Sequence, residues 1–382
     1  MSTQAETVER IADLPADDWD ALDPTGNPFL CHAFLEALES SGCVGADAGW
    51  MPRHLVLRGA GGRLVGAVPR YLKTHSWGEF VFDWNWAQAS LRAGLEYYPK
   101  LVSAVPFTPV TGPRLLVSQD GDVGQRHALA MALLESARRE GAPGAQVNFT
   151  TPDDQAALED AGFLGRHDCR FQWRNRGYRD FDDFLDGFRS DKRKKVRRER
   201  RRVTEAGVTF ETLRGGDVEP DQWRTVFGFS EQTFLRHGNA HYLSAAFLGL
   251  VAGRLPDAIM VKLAFLAGEP IAAAIFFQDD RWLYGRYWGA SREVDCLHFE
   301  ACYYQGIEWC IERGLDGFDP GTQGEHKLAR GFEPTLTRSA HWFSHPGFSS
   351  AIGSYLERER ASVAEYVAAA TAHLPFQRGA DA

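Results

Sequence analysis

Two rhythms of apolar residues run through this chain, and they come in the same order twice. Phe29, Leu30, Phe34, Leu35 and Leu38 recur at helical spacing and predict a helix over 29–40. A hairpin follows, 53–57 and 64–71, turning on the glycine-rich stretch 59–62. Next the pattern predicts a strand at 80–84, a helix at 126–140, a strand at 146–149, a helix ending at the Ala161-Gly162-Phe163 corner, and a strand at 170–173. The second half repeats the order: helix 242–251, hairpin 259–265 and 271–278 turning at Gly268-Glu269-Pro270, strand 282–288, and helix 298–313. A short strand through Phe318, an Arg330-Gly331-Phe332 corner and a strand at 335–342 complete it. The match is of element order, with little residue identity. It predicts two α/β domains, each a mixed, largely antiparallel sheet flanked by helices. The expected boundaries are 1–176, with a Pro-, Gly- and aromatic-rich insertion at 89–125; 177–348, opening with a helix at 190–206; and a peripheral helical tail, 349–382.

Helix 298–313 is the best defined, with Phe299, Tyr303, Gly306 or Ile307, and Cys310 on one stripe and Gly314 as its stop. His298 and Glu300 lie in its first turn, where a carboxylate also favours the helix dipole. Helix 190–206 differs. Ser190 is its expected N-cap and Gly207 its stop, and only Val196 and Val203 between them are apolar. Such a helix is expected to lie mostly exposed.

Charge singles out the same helix. Residues 192–202, KRKKVRRERRR, hold nine cations and one anion, which leaves 33 basic against 50 acidic residues elsewhere in a chain of net charge −9. An acidic body with one basic segment points to a local anionic contact. Phosphates of tRNA or of a nucleotide-linked precursor, or an anionic membrane surface, are the partners that segment suggests; Lys194, Lys195, Arg197 and Arg198 are its candidate contacts.

The remaining composition narrows the class. At 382 residues, 44% hydrophobic and 24% charged, the chain suits two folded domains, not disorder. Its six cysteines include no C-x-x-C pair and no His/Cys cluster at zinc spacing, so neither a metal nor a disulfide framework is expected. The first 18 residues lack a secretory apolar run, and the most apolar stretch, 271–277, is too short to span a bilayer. A cytoplasmic location is the expectation.

The densest chemistry sits in Asp319-Pro320-Gly321-Thr322-Gln323-Gly324-Glu325-His326-Lys327, between a predicted strand and the helical stretch 327–330. A strand-to-helix junction offers unpaired N–H groups and a crevice, so this corner is the leading candidate site.

Several motifs together resemble the FemAB-like N-acyltransferases, relatives of the Fem enzymes that add amino acids to peptidoglycan precursors. They include Asn27-Pro28-Phe29, Phe82-Asp83-Trp84, Tyr97-Tyr98-Pro99-Lys100-Leu101, and Pro106-Phe107-Thr108-Pro109-Val110 with Gly112-Pro113-Arg114. In the second half they are Lys194-Lys195-Val196-Arg197-Arg198-Glu199-Arg200, Gly285-Arg286-Tyr287-Trp288-Gly289, Leu297-His298-Phe299-Glu300, and Gln323-Gly324-Glu325-His326-Lys327-Leu328-Ala329-Arg330-Gly331. The resemblance implies two tandem GNAT-like domains. It also implies transfer of an acyl or aminoacyl group from acyl-CoA or aminoacyl-tRNA to an amine, on a small molecule or a cell-wall precursor. The GNAT pyrophosphate loop, Q/R-x-x-G-x-G/A, has its nearest counterpart in Arg286-Tyr287-Trp288-Gly289-Ala290-Ser291, which ends on Ser with no helix directly behind it.

Such a transfer needs an acceptor for the amine proton and donors for the developing oxyanion. Glu325 and His326 are the candidate base and its orienting partner, with Asp83 a second carboxylate. Candidates for binding donor or substrate are Gln323, Gly324, Lys327, Arg286 with Tyr287, His298, Glu300 and Arg114, besides the four cations of the basic helix. A non-catalytic module that binds RNA or membrane phosphates through the basic helix is the alternative; it would not need the 323–327 corner.

Overall fold

The computed structural model describes residues 4–118, 123–322 and 324–377. The chain forms two units: Met1–Cys169 with Leu336–Glu365, and Arg170–Thr335 with Tyr366–Ala382. The strands in chain order begin with β1 (Gln4–Val8), β2 (Trp50–Pro52), β3 (His54–Arg58), β4 (Leu64–Val68), β5 (Arg70–Lys73), β6 (Lys100–Ser103), β7 (Gly144–Asn148) and β8 (Leu164–Arg174). They continue with β9 (Val208–Arg214), β10 (Ile259–Leu266), β11 (Glu269–Gln278), β12 (Trp282–Ala290), β13 (Gly317–Asp319) and β14 (Glu333–Phe343).

In the first unit β1, β3 and β4 form a small antiparallel sheet, and the main sheet runs β2-β5-β6-β7-β14. Within that sheet β6 and β7 are parallel, whereas β5/β6 and β7/β14 are antiparallel. In the second unit the order is β8-β13-β12-β11-β10-β9, with β12 and β13 parallel and their neighbours antiparallel. Each unit thus has a parallel pair in a largely antiparallel sheet, and a helix lies between the paired strands in sequence. The repeat legible in element order is also a repeat of topology.

Each unit has its own core. Leu55, Leu101, Leu129, Leu133, Val147 and Leu158 pack the first, between its sheet and the helices Val123–Arg139 and Pro152–Asp160. Trp173, Phe184, Phe188, Tyr304, Ile307 and Phe318 pack the second. Gly331 has φ +86, and a Cβ there would come within 2.8 Å of Phe184 and 2.9 Å of Phe188. The Gly-Phe corner therefore lets this aromatic layer close.

Four points differ from what the sequence led one to expect. The predicted strand at 80–84 is absent. Phe80 and Phe82 take φ 60 and φ 51, outside strand geometry, and helix Trp84–Arg92 starts directly behind them. Buried Glu79 and Asp83 point to Lys100 instead of leaving a ladder free. The presumed insertion 89–125 supplies β6, a strand of the main sheet. Residues 207–241, for which no elements were expected, form the edge strand β9 and helix Pro220–Arg236. That helix buries Trp223, Val226, Phe229 and Ser230, one face at helical spacing. Helix Ser190–Glu205 is capped at Arg189, not at Ser190, and Gly207 follows at φ +80.

Candidate functional site

The corner after β13 is built from the backbone outward. Gly324 adopts φ +110, where an added Cβ would sit 2.3 Å from His326 Cε1, so only glycine turns the chain into the 3₁₀ stretch Glu325–Arg330. Gln323 lies outside the described residues. Lys327 is 1% exposed. Its ammonium donates to the carbonyls of Gly321 at 2.8 Å and Thr322 at 3.1 Å, strapping the loop that precedes it. Burial pushes this amine down to about 8, with Asp319 opposing that shift.

Glu325 and His326 are both exposed and face different partners. Glu325 Oε1 accepts from the Tyr366 hydroxyl at 2.9 Å. His326 Nε2 and the Tyr303 hydroxyl are 2.8 Å apart. The structure does not join the two as base and orienting partner; Tyr303 takes that position beside His326. Burial, then the charges of Arg330, Lys327 and Lys195, hold His326 below the ordinary histidine range, so the ring is neutral at pH 7. Burial keeps the Tyr303 phenol protonated, far above its usual range. When His326 Nε2–H donates to Tyr303, Nδ1 is a free acceptor for a proton.

Behind this corner the basic helix turns inward at one residue. Glu199, the only anion of the basic run, falls on the stripe Val196, Glu199, Val203, and all three are buried. Its carboxylate accepts from Arg330 Nη2 at 2.8 Å and from the Tyr304 hydroxyl. Arg330 also donates to the His326 carbonyl at 2.7 Å and lies 3.5 Å from the Phe299 ring centroid. The basic helix, helix Gln305–Arg313 with its preceding π turn Glu300–Tyr304, and the 325–330 corner are thereby tied through Glu199, Tyr304 and Arg330. Sequence reasoning assigned these three no role. The signal was present: an acid in a basic run, three residues from one valine and four from the next, belongs to the inward stripe.

Glu300 is buried and holds Arg200 at 3.0 Å, an arginine that also reaches Glu308 at 2.8 Å. Its carboxylate is committed to an ion pair. His298 sits among Trp288, Phe299 and Tyr303, and burial first, then His326, brings it down to about 4. Arg286 lies over the Tyr287 ring at 5.5 Å, and Tyr287 contacts His241 at 5.2 Å.

The basic helix is less free than its sequence suggests. Seven of its nine cations have carboxylates within 4.0 Å, among them Arg193 with Asp186, Arg197 with Asp182, Arg202 with Asp295 and Lys195 with Glu199. Lys194 and Arg198, four residues apart on one face, are exposed and carry no ion pair among the described residues.

The first unit contains the other candidates. Arg114 is 1% exposed, its guanidinium donating to the carbonyls of Val110 at 2.7 Å and Pro113 at 3.1 Å, so it braces its loop from within. Asp83 is wholly enclosed, accepting from Lys100 and Tyr97 at 2.5 Å each and from Gln146 at 2.7 Å. Burial pushes its carboxyl up, but Lys100 and Gln146 outweigh that and hold it well below the usual carboxylate range. It has no proton to exchange near neutral pH.

The sequence model of the FemAB-like family, described as peptidoglycan biosynthesis and recognition, matches residues 10–378. Among solved structures, FemX shares 13% identity at TM-score 0.56, over 92% of this chain and 100% of that one. L-PGS from Bacillus licheniformis shares 12% at TM-score 0.51, over 87% and 98%. At such identities these likenesses speak to fold alone, and with the repeated topology they establish the expected tandem GNAT-like α/β fold. No curated protein sequence matches the chain.

Proposed function

The chain belongs to the FemAB-like family, and from that premise we propose that it transfers an acyl or aminoacyl group from an activated donor, acyl-CoA or aminoacyl-tRNA, to an amine of a cell-wall precursor in the cytoplasm. The observation that carries the reading is His326: an exposed imidazole, neutral at pH 7 and set at 2.8 Å from a buried phenol. A neutral ring with Nδ1 free can take the proton released when an amine attacks the donor carbonyl. The Nε2–H···O bond to Tyr303 fixes the tautomer and remains as charge grows on the ring. Lys327 and Arg330 lie beside the ring as positive neighbours; they lower its basicity and so quicken release of the proton. No covalent intermediate is needed, and burial holds the thiols of Cys302 and Cys310, the two cysteines of the neighbouring helix, far above their usual range.

The pairing of seven basic-helix cations with the chain's own acids weighs against a module that does nothing but bind phosphates. A thermal-shift panel of acyl-CoAs, aminoacyl-tRNAs and nucleotide-linked cell-wall precursors tests the proposal. Stabilisation by one donor class and by a precursor, followed by turnover of that pair, is the expected result. Binding of tRNA without turnover of any pair would overturn it in favour of the binding module.

A further inference from the structure

A buried polar cluster in the first unit lies at the wall of a cavity, and the transfer chemistry above makes no use of it. The cavity, about 380 Å³, opens where β6 and β7 begin and β14 ends. Ligands of open α/β sheets ordinarily sit at the carboxyl ends of parallel strands; this hollow is at the amino ends of the β6/β7 pair. Its volume is within the usual range for small-molecule sites, roughly 300–1,000 Å³. Leu95, Pro143, Phe343 and Phe348 supply apolar walls, with Tyr97, Lys100 and Gln146 among the polar lining.

The polar side is short of donors. Lys100 spends its ammonium on Asp83 at 2.5 Å, Glu79 at 2.8 Å and Ser76 at 3.0 Å. Gln146 is 2% exposed, and its Nε2 donates to Asp83 at 2.7 Å and Tyr97 at 3.1 Å, which fixes the orientation of the amide. Its Oε1 is left with no hydrogen-bond partner among the described residues, as are Asp83 Oδ1 and Glu79 Oε1 behind it. Buried acceptors without donors are costly, because they give up water and gain no partner. At the rim the exposed Glu96 adds a negative charge.

We propose that this cavity is a ligand site for a small primary amine, its ammonium donating to the Gln146 side-chain carbonyl and its apolar body lying against Phe343 and Phe348. The excess of acceptors and the rim carboxylate favour a cation over a neutral alcohol and disfavour a carboxylate. The site stands independently of the His326 chemistry, since it is made wholly of first-unit residues.

Benzylamine, benzyl alcohol and benzoate, three probes of one shape, test it by calorimetry on the full chain. Saturable binding in the order amine, alcohol, benzoate is expected. Ser344→Trp, at the exposed rim, should fill the mouth and weaken benzylamine about tenfold or more, leaving the melting temperature of the free protein unchanged. Gln146→Met should weaken it similarly. If that variant loses its fold through the Asp83 network, Ser344→Trp alone decides. Absence of saturable benzylamine binding, benzoate binding as tightly, or an affinity unaltered in Ser344→Trp would each overturn the site.

Discussion

At the scale of single residues, the corner after β13 divides its labour. Lys327 and Arg330 are buried and hold backbone; Glu325 and His326 are left at the surface, and only the latter has a buried phenol to steady it. If His326 accepts the amine proton, kcat/KM should be flat above about pH 6.5, the unperturbed histidine value, and fall only at lower pH, because its folded pKa lies beneath that value and the protonated ring cannot accept. His326→Gln should lose about 10²–10⁴-fold in kcat and the acid limb with it, at unchanged stability. A variant that keeps both would remove the histidine from the chemistry. The Glu199–Arg330 pair is a structural matter. Its side chains are 9% and 2% exposed, and Glu199→Ala strands a buried guanidinium. A loss of about 3–5 kcal/mol in urea unfolding is expected, largely recovered when Arg330→Met accompanies Glu199→Met.

Among the elements, the basic helix is the instructive one. Its periodicity announced a helix and its charge announced a partner. Four of its nine cations, Arg193, Arg197, Arg200 and Arg202, are met by Asp186, Asp182, Glu300 with Glu308, and Asp295 from the same unit, acids that lie 15 residues or more from their partners in several cases, as with Arg197–Asp182 and Arg200–Glu300. No local reading of the run could have found them. Lys194 and Arg198 remain for an external phosphate. For tRNA binding, replacing both by Ala should lower the slope of log affinity against log salt by about 1.4–1.8, the share of two phosphate contacts. An unaltered slope would take the helix out of the contact. Hairpins and the Gly314 stop were legible because glycine at positive φ is a local necessity; the helix start at Trp84 was not, since Phe82-Asp83-Trp84 reads as a strand until Lys100 is known to lie beneath it.

At the scale of the whole chain, the two units are not consecutive segments. Residues 336–365 return to the first unit, where β14 pairs β7 and Phe343, Ile352 and Leu356 pack with Trp86 and Tyr97. A fragment of residues 1–176 lacks that strand and that packing. It is expected to be unfolded or aggregated by circular dichroism and exclusion chromatography, whereas the fragment covalently continued with 336–365 through a flexible linker should regain cooperative unfolding. Cooperative unfolding of 1–176 alone would show the returning segment to be dispensable.

The twofold repetition, the hairpins and the position of the 319–330 corner were set by the sequence itself, because apolar period, glycine turns and helix stops act over a few residues. Whether Arg200 stays free, what meets Glu199, and whether Asp83 titrates depended on partners 17 to 131 residues away, as Lys100 is from Asp83, Glu300 from Arg200 and Arg330 from Glu199. Ionisation and charge balance follow distance through space, and only the folded chain fixes those distances.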